Sequence, residues 1–174
     1  MVDQADQSFA QTRGLVQLKL GDSWSRTFGP NSNLSALISA SAQTLTQLSV
    51  RIEHSNELKL VFSAGSPARL NLRTLSLTVK TDDVPNLAQL FNACPTIETL
   101  IIESSIPEVI IQALDGLSPV IKLSRLIINL RKSLLGSAVA LTDWLALPGL
   151  AGIEVLVVRG PGSRRLDSLK MPRR

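Results

Sequence analysis

The feature that most constrains the fold of this chain is a six-residue apolar pattern that recurs six times. The pattern is Leu/Ile-x-x-Leu-x-Leu/Ile/Val, and its copies read LVQLKL, LTQLSV, LRTLSL, IETLII, LSRLII and IEVLVV. The fourth position is a leucine in every copy: Leu18, Leu48, Leu75, Leu100, Leu126 and Leu156. These leucines recur at a nearly constant spacing along the chain. Self-similarity at a nearly fixed period indicates stacked structural repeats.

Each copy of the pattern predicts a β-strand, because its last two apolar residues are two positions apart and point to one face. The first apolar residue lies three positions upstream and is expected to enter the core from the preceding turn. Between the copies, apolar residues at helical spacing predict helices over 33–42, 83–94, 107–117 and 133–147. The segment 57–62 instead predicts an extra short strand or bulge. A strand, a turn and a helix within about 26 residues form the unit of a leucine-rich-repeat solenoid.

The stretch CPTIETLII, which begins at Cys94, resembles the cysteine–proline–x–leucine–glutamate–x–leucine stretch of irregular leucine-rich repeats in fungal F-box proteins. The resemblance covers roughly residues 15–158, and only the Cys94 repeat carries the fuller motif. It implies an α/β fold, a leucine-rich-repeat solenoid of about six repeats, with a curved parallel sheet on the concave side and helices on the convex side. It also implies a protein–protein interaction scaffold, such as the substrate-recognition domain of an F-box-type ubiquitin ligase receptor. Nothing before Leu15 resembles an F-box.

Charge and composition divide the chain into three expected parts. Residues 1–14 are expected to be a flexible segment, 15–158 the repeat domain, and 159–174 a basic, disordered tail. The tail has six basic residues and one acidic residue, whereas the rest of the chain has 12 basic and 13 acidic residues, so the net charge of +4 belongs to the tail. Aromatic residues make up 3% of the chain, which disfavours a nucleic-acid surface built on stacked rings.

The sequence offers little catalytic or metal-binding chemistry. Cys94 is the only cysteine and His54 the only histidine, so no zinc ligand set can be assembled and no histidine is positioned to activate the thiol. We therefore expect Cys94 to pack as a small apolar residue and His54 to lie in a turn. A single cysteine excludes an internal disulfide, which favours an intracellular location, cytoplasmic or nuclear. No enzyme activity, cofactor, metal or membrane contact is predicted.

An alternative interpretation is a small-molecule or nucleotide-binding domain with a doubly wound α/β sheet. In that case the glycine-rich loop Gly160–Ser163, which follows the last strand, would hold the ligand. The strands IETLII and IEVLVV are apolar enough to be covered on both faces, as such a sheet requires. The strands LVQLKL, LTQLSV and LRTLSL are apolar on one face only, which favours the repeat fold.

If the repeats stack in register, one row of residues crosses the face of the sheet that carries no leucines. This row is Lys19, Ser49, Ser76, Ile101, Ile127 and Val157, and its last three members predict an exposed apolar patch. The predicted partner-binding residues are Thr99, Ile101, Glu103, Arg125, Ile127, Asn129, Val157 and Arg159, of which Glu103, Arg125 and Arg159 would supply specificity. The alternative is that the tail or another chain covers this row. An uncapped terminal strand would also allow a homo-oligomer.

Overall fold

A computed structural model describes residues 15–22, 34–54, 57, 69–80, 87–115, 117, 121–131, 152–160 and 167–170 of the chain. These residues form seven β-strands and three α-helices. In chain order the elements are β1 (Gln17–Leu20), α1 (Leu34–Ala40), β2 (Gln47–Ile52), β3 (Thr74–Val79), α2 (Leu87–Ala93), β4 (Thr99–Ser104), α3 (Pro107–Asp115), β5 (Arg125–Leu130), β6 (Val155–Arg159) and β7 (Asp167–Lys170). The fold class is α/β, as predicted.

The strands form one open sheet in which spatial order follows chain order from β1 to β7. Strands β1 to β6 are parallel, and β7 pairs antiparallel with β6. A doubly wound sheet reverses its strand order at a switch point. The described strands have no such reversal, so the doubly wound alternative is wrong for this part of the chain.

The six pattern leucines lie side by side across the sheet, which confirms the register predicted from their spacing. Each is paired with the leucine of the next copy: Leu18 with Leu48, then Leu75, Leu100, Leu126 and Leu156. A one-residue slip would move a whole strand's apolar residues to the opposite face, so the need to bury them fixes this register.

The hydrophobic core lies on the face of the sheet that carries the leucines, which we call the core face. Leu48, Leu75, Leu100 and Leu126 are at most 1% exposed, and the first apolar position of the pattern is also buried in the repeats from Leu45 to Ile153. The three helices contribute to the same core cluster, through Leu34 and Ile38, Leu90 and Phe91, and Val109, Ile110, Ala113 and Leu114. The described helices therefore cover the core face.

The described helices begin and end close to the predicted positions. Helix α1 (Leu34–Ala40) lies within the predicted 33–42, and α3 starts at Pro107, a residue whose fixed φ suits the first helical position. Helix α2 (Leu87–Ala93) ends just before Cys94 and Pro95, because the residue before a proline disfavours helical geometry. The predicted helix over 133–147 lies outside the described residues. Of the predicted strand over 57–62 only Glu57 is described, and it is helical rather than extended.

A repeated backbone contact joins neighbouring units at the start of their strands. The carbonyl oxygen of Val16 accepts hydrogen bonds from the N–H groups of Thr46 (2.9 Å) and Gln47 (3.2 Å). The carbonyl oxygens of Thr46, Arg73, Glu98 and Ser124 each accept two N–H groups from the next unit in the same way. Hydroxyl groups reinforce some of these joints; the Ser124 Oγ, for example, donates to the Glu98 carbonyl at 3.0 Å. We call this series the carbonyl ladder.

The carboxyl-terminal part of the chain differs from the expected disordered tail. Arg159 is the last residue of β6, and Asp167–Lys170 form β7. Strand β7 pairs with β6 from Val155 opposite Lys170 to Val158 opposite Asp167. Strand β6 is therefore not an unpaired edge, as an uncapped terminal strand would have been. The expected flexible segment 1–14 lies outside the described residues.

Candidate binding face

The face of the sheet opposite the core, which we call the open face, carries the predicted row in the predicted register. Its members pair in the order Lys19, Ser49, Ser76, Ile101, Ile127 and Val157. We call this the central row. It changes from polar residues on β1 to β3 to aliphatic residues on β4 to β6.

The prediction that the three aliphatic residues of the central row are all exposed is wrong for Val157. Ile101 and Ile127 are partly exposed, but Val157 is only 5% exposed. Val157 is buried without belonging to the main core cluster, since it lies on the opposite face of the sheet. Its strand is an interior strand, because β7 extends the sheet beyond β6. The accessible aliphatic residues of the row are thus Ile101 and Ile127, which we call the isoleucine pair.

Two further rows flank the isoleucine pair, and they bring the remaining predicted residues together. Thr99 and Arg125 pair with each other at the start of β4 and β5. Towards the other end of the strands, Glu103 pairs with Asn129 and Asn129 with Arg159. Arg125 and Arg159 are exposed, whereas Thr99, Glu103 and Asn129 are partly buried. All eight predicted residues therefore lie on three adjacent strands, and seven of them reach solvent.

Ion pairs at the carboxyl ends of the first three strands were not predicted from the sequence. Arg51 pairs with Asp22, and its Nε lies 3.8 Å from the Glu53 Oε1. Lys80 Nζ contacts the same Glu53 oxygen at 3.2 Å. The sequence signal was present, since charged residues of both signs follow β1, β2 and β3. These contacts compensate the charges in this region within the chain itself.

The charges around the isoleucine pair are only partly compensated. Glu103 forms an ion pair with Arg131 at the end of β5. Neither Arg125 nor Arg159 has an ionic partner among the described residues. The Oδ1 atom of Asn129, which lies between Glu103 and Arg159 in its row, is buried and accepts no hydrogen bond. This part of the open face therefore combines apolar surface with two exposed arginine side chains that have no ionic partner among the described residues.

Two buried polar side chains stabilise turns at the ends of strands. The Glu57 Oε2 accepts a hydrogen bond from the backbone N–H of Glu53 at 2.7 Å, and Glu57 is 2% exposed. The Ser104 Oγ accepts one from the N–H of Ile106 at 3.1 Å and is equally inaccessible, at 1%. Buried polar groups of this kind need such partners. We assign both residues to the fold rather than to binding.

Cys94 and His54 lie where the sequence analysis expected them. Cys94 is fully buried, as predicted, and this burial raises the pKa of its thiol to about 12, which disfavours the nucleophilic thiolate. His54 is exposed in the bend after β2. The described residues contain no group of three or more side chains able to hold a metal ion. Of the loop Gly160–Ser163 only Gly160 is described, so ligand binding there stays a prediction.

None of the described helices has the length and apolar character needed to cross a bilayer. No family model matches the sequence, and neither a curated protein nor a solved structure matches the chain. The resemblance to leucine-rich repeats therefore rests on the repeated pattern and on the stretch that begins at Cys94.

Proposed function

We propose that this chain is a protein-interaction domain of the leucine-rich-repeat type, and that it binds a protein partner at the isoleucine pair. Sequential parallel strands, a nearly constant repeat period and helices on one face all support a solenoid arrangement. In such a solenoid the open face is the concave surface, where these proteins bind their partners.

The observation that carries this proposal is the change in character along the central row. Strands β2 to β5 bury all of their core-face residues, so the fold does not need aliphatic residues on the open face as well. Ser49 and Ser76 show that small polar residues fit the same positions. Ile101 and Ile127 are nevertheless aliphatic and adjacent, in contact with solvent and close to exposed arginines. Partly exposed apolar surface with a polar rim is typical of protein interfaces.

The resemblance to F-box proteins adds a specific biological role to this proposal. In a receptor of that type, a repeat domain recognises the substrate while another part of the protein docks the ligase. The isoleucine pair and its flanking residues would then contact the substrate. We propose this role for the chain as one part of such a receptor.

The experiment is an affinity capture of partner proteins from a cell lysate. It compares the full natural chain with an Ile101→Ser, Ile127→Ser double variant. Replacing both isoleucines removes the apolar surface, so we expect the variant to lose the partner that the natural chain recovers. A Lys19→Ser, Ser49→Ala variant is the matched control, since it changes the same row on the ion-paired half of the sheet. Circular dichroism and urea unfolding establish that each variant is folded.

A second variant tests the same face without removing any apolar surface. Ser76 lies next to Ile101 in the central row, and Ser76→Glu places a charged side chain beside the pair without removing either isoleucine. We expect it to weaken capture as well. Equal recovery of one partner by the natural chain, the double variant and Ser76→Glu would contradict binding at this face.

A further inference from the structure

We infer that the partner segment at the isoleucine pair is acidic: an extended stretch of protein with one aliphatic side chain and a carboxylate on each side of it. This inference rests on the proposed function, because it describes what binds at the same face. It follows from two properties of the surface: the positions of Arg125 and Arg159, and their lack of ionic partners among the described residues.

The two arginines lie on opposite sides of Ile127. Arg125 is two residues before Ile127 on β5, and Arg159 pairs with Asn129, two residues after it. The arginine backbones are thus four positions apart along the strands and one strand apart across the sheet, or roughly 14 Å from strand dimensions. Four residues of an extended segment span about 13 Å. Two carboxylates four residues apart can therefore reach both arginines while a side chain between them contacts the isoleucines.

The charge of this surface favours acidic groups. Arg125 and Arg159 are exposed, and within the described part of the chain no carboxylate compensates either of them. The nearby carboxylate, Glu103, is already paired with Arg131. The planar set of N–H donors on an uncompensated guanidinium matches the two oxygens of a carboxylate. Opposite charges on the two partners around an apolar centre give an interface its specificity.

A nucleic acid is the other class of acidic partner, and the described open face suits it less well. No described residue of this face is aromatic, so no ring is offered for bases to stack on. A phosphate backbone has no apolar group that could pack against the isoleucine pair. A protein segment uses both the charged and the apolar parts.

The test is a selection of nine-residue random peptides displayed on phage against the immobilised full chain, followed by titration of the selected peptides as synthetic compounds. We expect the selected sequences to carry an aliphatic residue with Asp or Glu two positions before and after it. Binding should weaken by about tenfold in an Arg125→Glu, Arg159→Glu variant and by a smaller factor in Arg125→Gln, Arg159→Gln. The matched control, Lys19→Glu, reverses an exposed charge on the same face outside the patch and should leave affinity unchanged.

The Ile101→Ser, Ile127→Ser variant separates the failure of this inference from the failure of the proposed function. Selected peptides without acidic residues, or peptides insensitive to both arginine variants, would overturn the acidic partner; the proposed function stands if these peptides still need the isoleucines. Peptides that bind the isoleucine variant equally well, or a selection that enriches no sequence, would count against both. Tighter binding of a fluorescent single-stranded oligonucleotide than of any peptide, lost in Arg125→Glu, Arg159→Glu, would replace the protein segment by a nucleic acid.

Discussion

The two faces of the sheet are built from adjacent residues of the same strands, yet they differ in how much they vary. On the core face the second residue of each parallel strand is always leucine, as in Leu75, Leu100 and Leu126. One residue further along, on the open face, the same strands carry Ser76, Ile101 and Ile127. Burial demands the same residue class in every repeat on one side, whereas the other side is free to differ. The fold is therefore encoded on the core face, and we propose that binding specificity is encoded on the open face.

The largest expected contrast is between Leu100→Ala and Ile101→Ala, two neighbours that point to opposite faces. Leu100 is fully buried, so its truncation leaves a cavity and should lower the free energy of unfolding by about 3–4 kcal/mol. Ile101 is partly exposed, and its truncation should cost about 1 kcal/mol. Urea unfolding of both variants measures the two losses. Losses of equal size would mean that Ile101 belongs to a core of its own.

A second contrast concerns the buried thiol of Cys94, which precedes β4 on the core side. Burial raises its pKa from 9.0 to about 12, so above pH 9 the unfolded chain releases this proton while the folded chain retains it. The contribution of the neutral thiol to stability is complete below pH 9 and decreases as pH rises towards 12, by up to about 1.4 kcal/mol per pH unit.

The measurement is the free energy of unfolding of the natural chain and of Cys94→Ala from neutral pH to pH 10.5. Because other groups titrate equally in both proteins, the difference between the two curves isolates the thiol. We expect the natural chain to lose its advantage over Cys94→Ala as the solution becomes alkaline. Parallel curves across this range would show that the thiol is accessible to solvent in the folded chain.

The smallest expected effect lies at the rim of the open face. Glu103 and Arg131 form an ion pair in which the side chains are 27% and 50% exposed. Exposed pairs contribute little, so Glu103→Gln should change the free energy of unfolding by about 0.5 kcal/mol or less, and added salt should remove the difference. Urea unfolding at low and high salt measures both quantities. If Glu103→Gln instead lowered the free energy of unfolding several times more, and salt did not change this loss, the rim of the open face would contribute to the stability of the fold. The two faces would then not differ in role as described above.

The sequence predicted the register of all six parallel strands, because the leucine pattern reports directly which residues must be buried together. From Lys19 to Val157, the central row was correct in order and pairing. The neighbours of each predicted binding residue followed from that register. Side-chain alternation in a strand is strict, so a correct register places both faces at once.

The sequence did not predict burial that depends on elements outside a residue's own repeat. Val157 continues the aliphatic pattern of Ile101 and Ile127, but it is buried on a strand that β7 flanks. The sequence of β7, DSLK, has no apolar alternation and lies in a basic segment, so nothing in it indicated a strand. The buried serine at Ser104 was equally unexpected, since Val79 and Leu130 occupy the paired positions. Its role depends on a turn hydrogen bond that periodicity does not report.

The carbonyl ladder has a consequence for how such a chain tolerates changes in length. Each joint between units uses backbone groups at the start of a strand, and it recurs although the number of residues from one strand to the next is not constant. Residues inserted between one strand and the next lengthen the path outside the joint without moving the strands against each other. An insertion of one residue inside a strand would instead exchange the two faces of the part that follows it. Homologous chains should therefore differ in length between the strands and hardly at all within them.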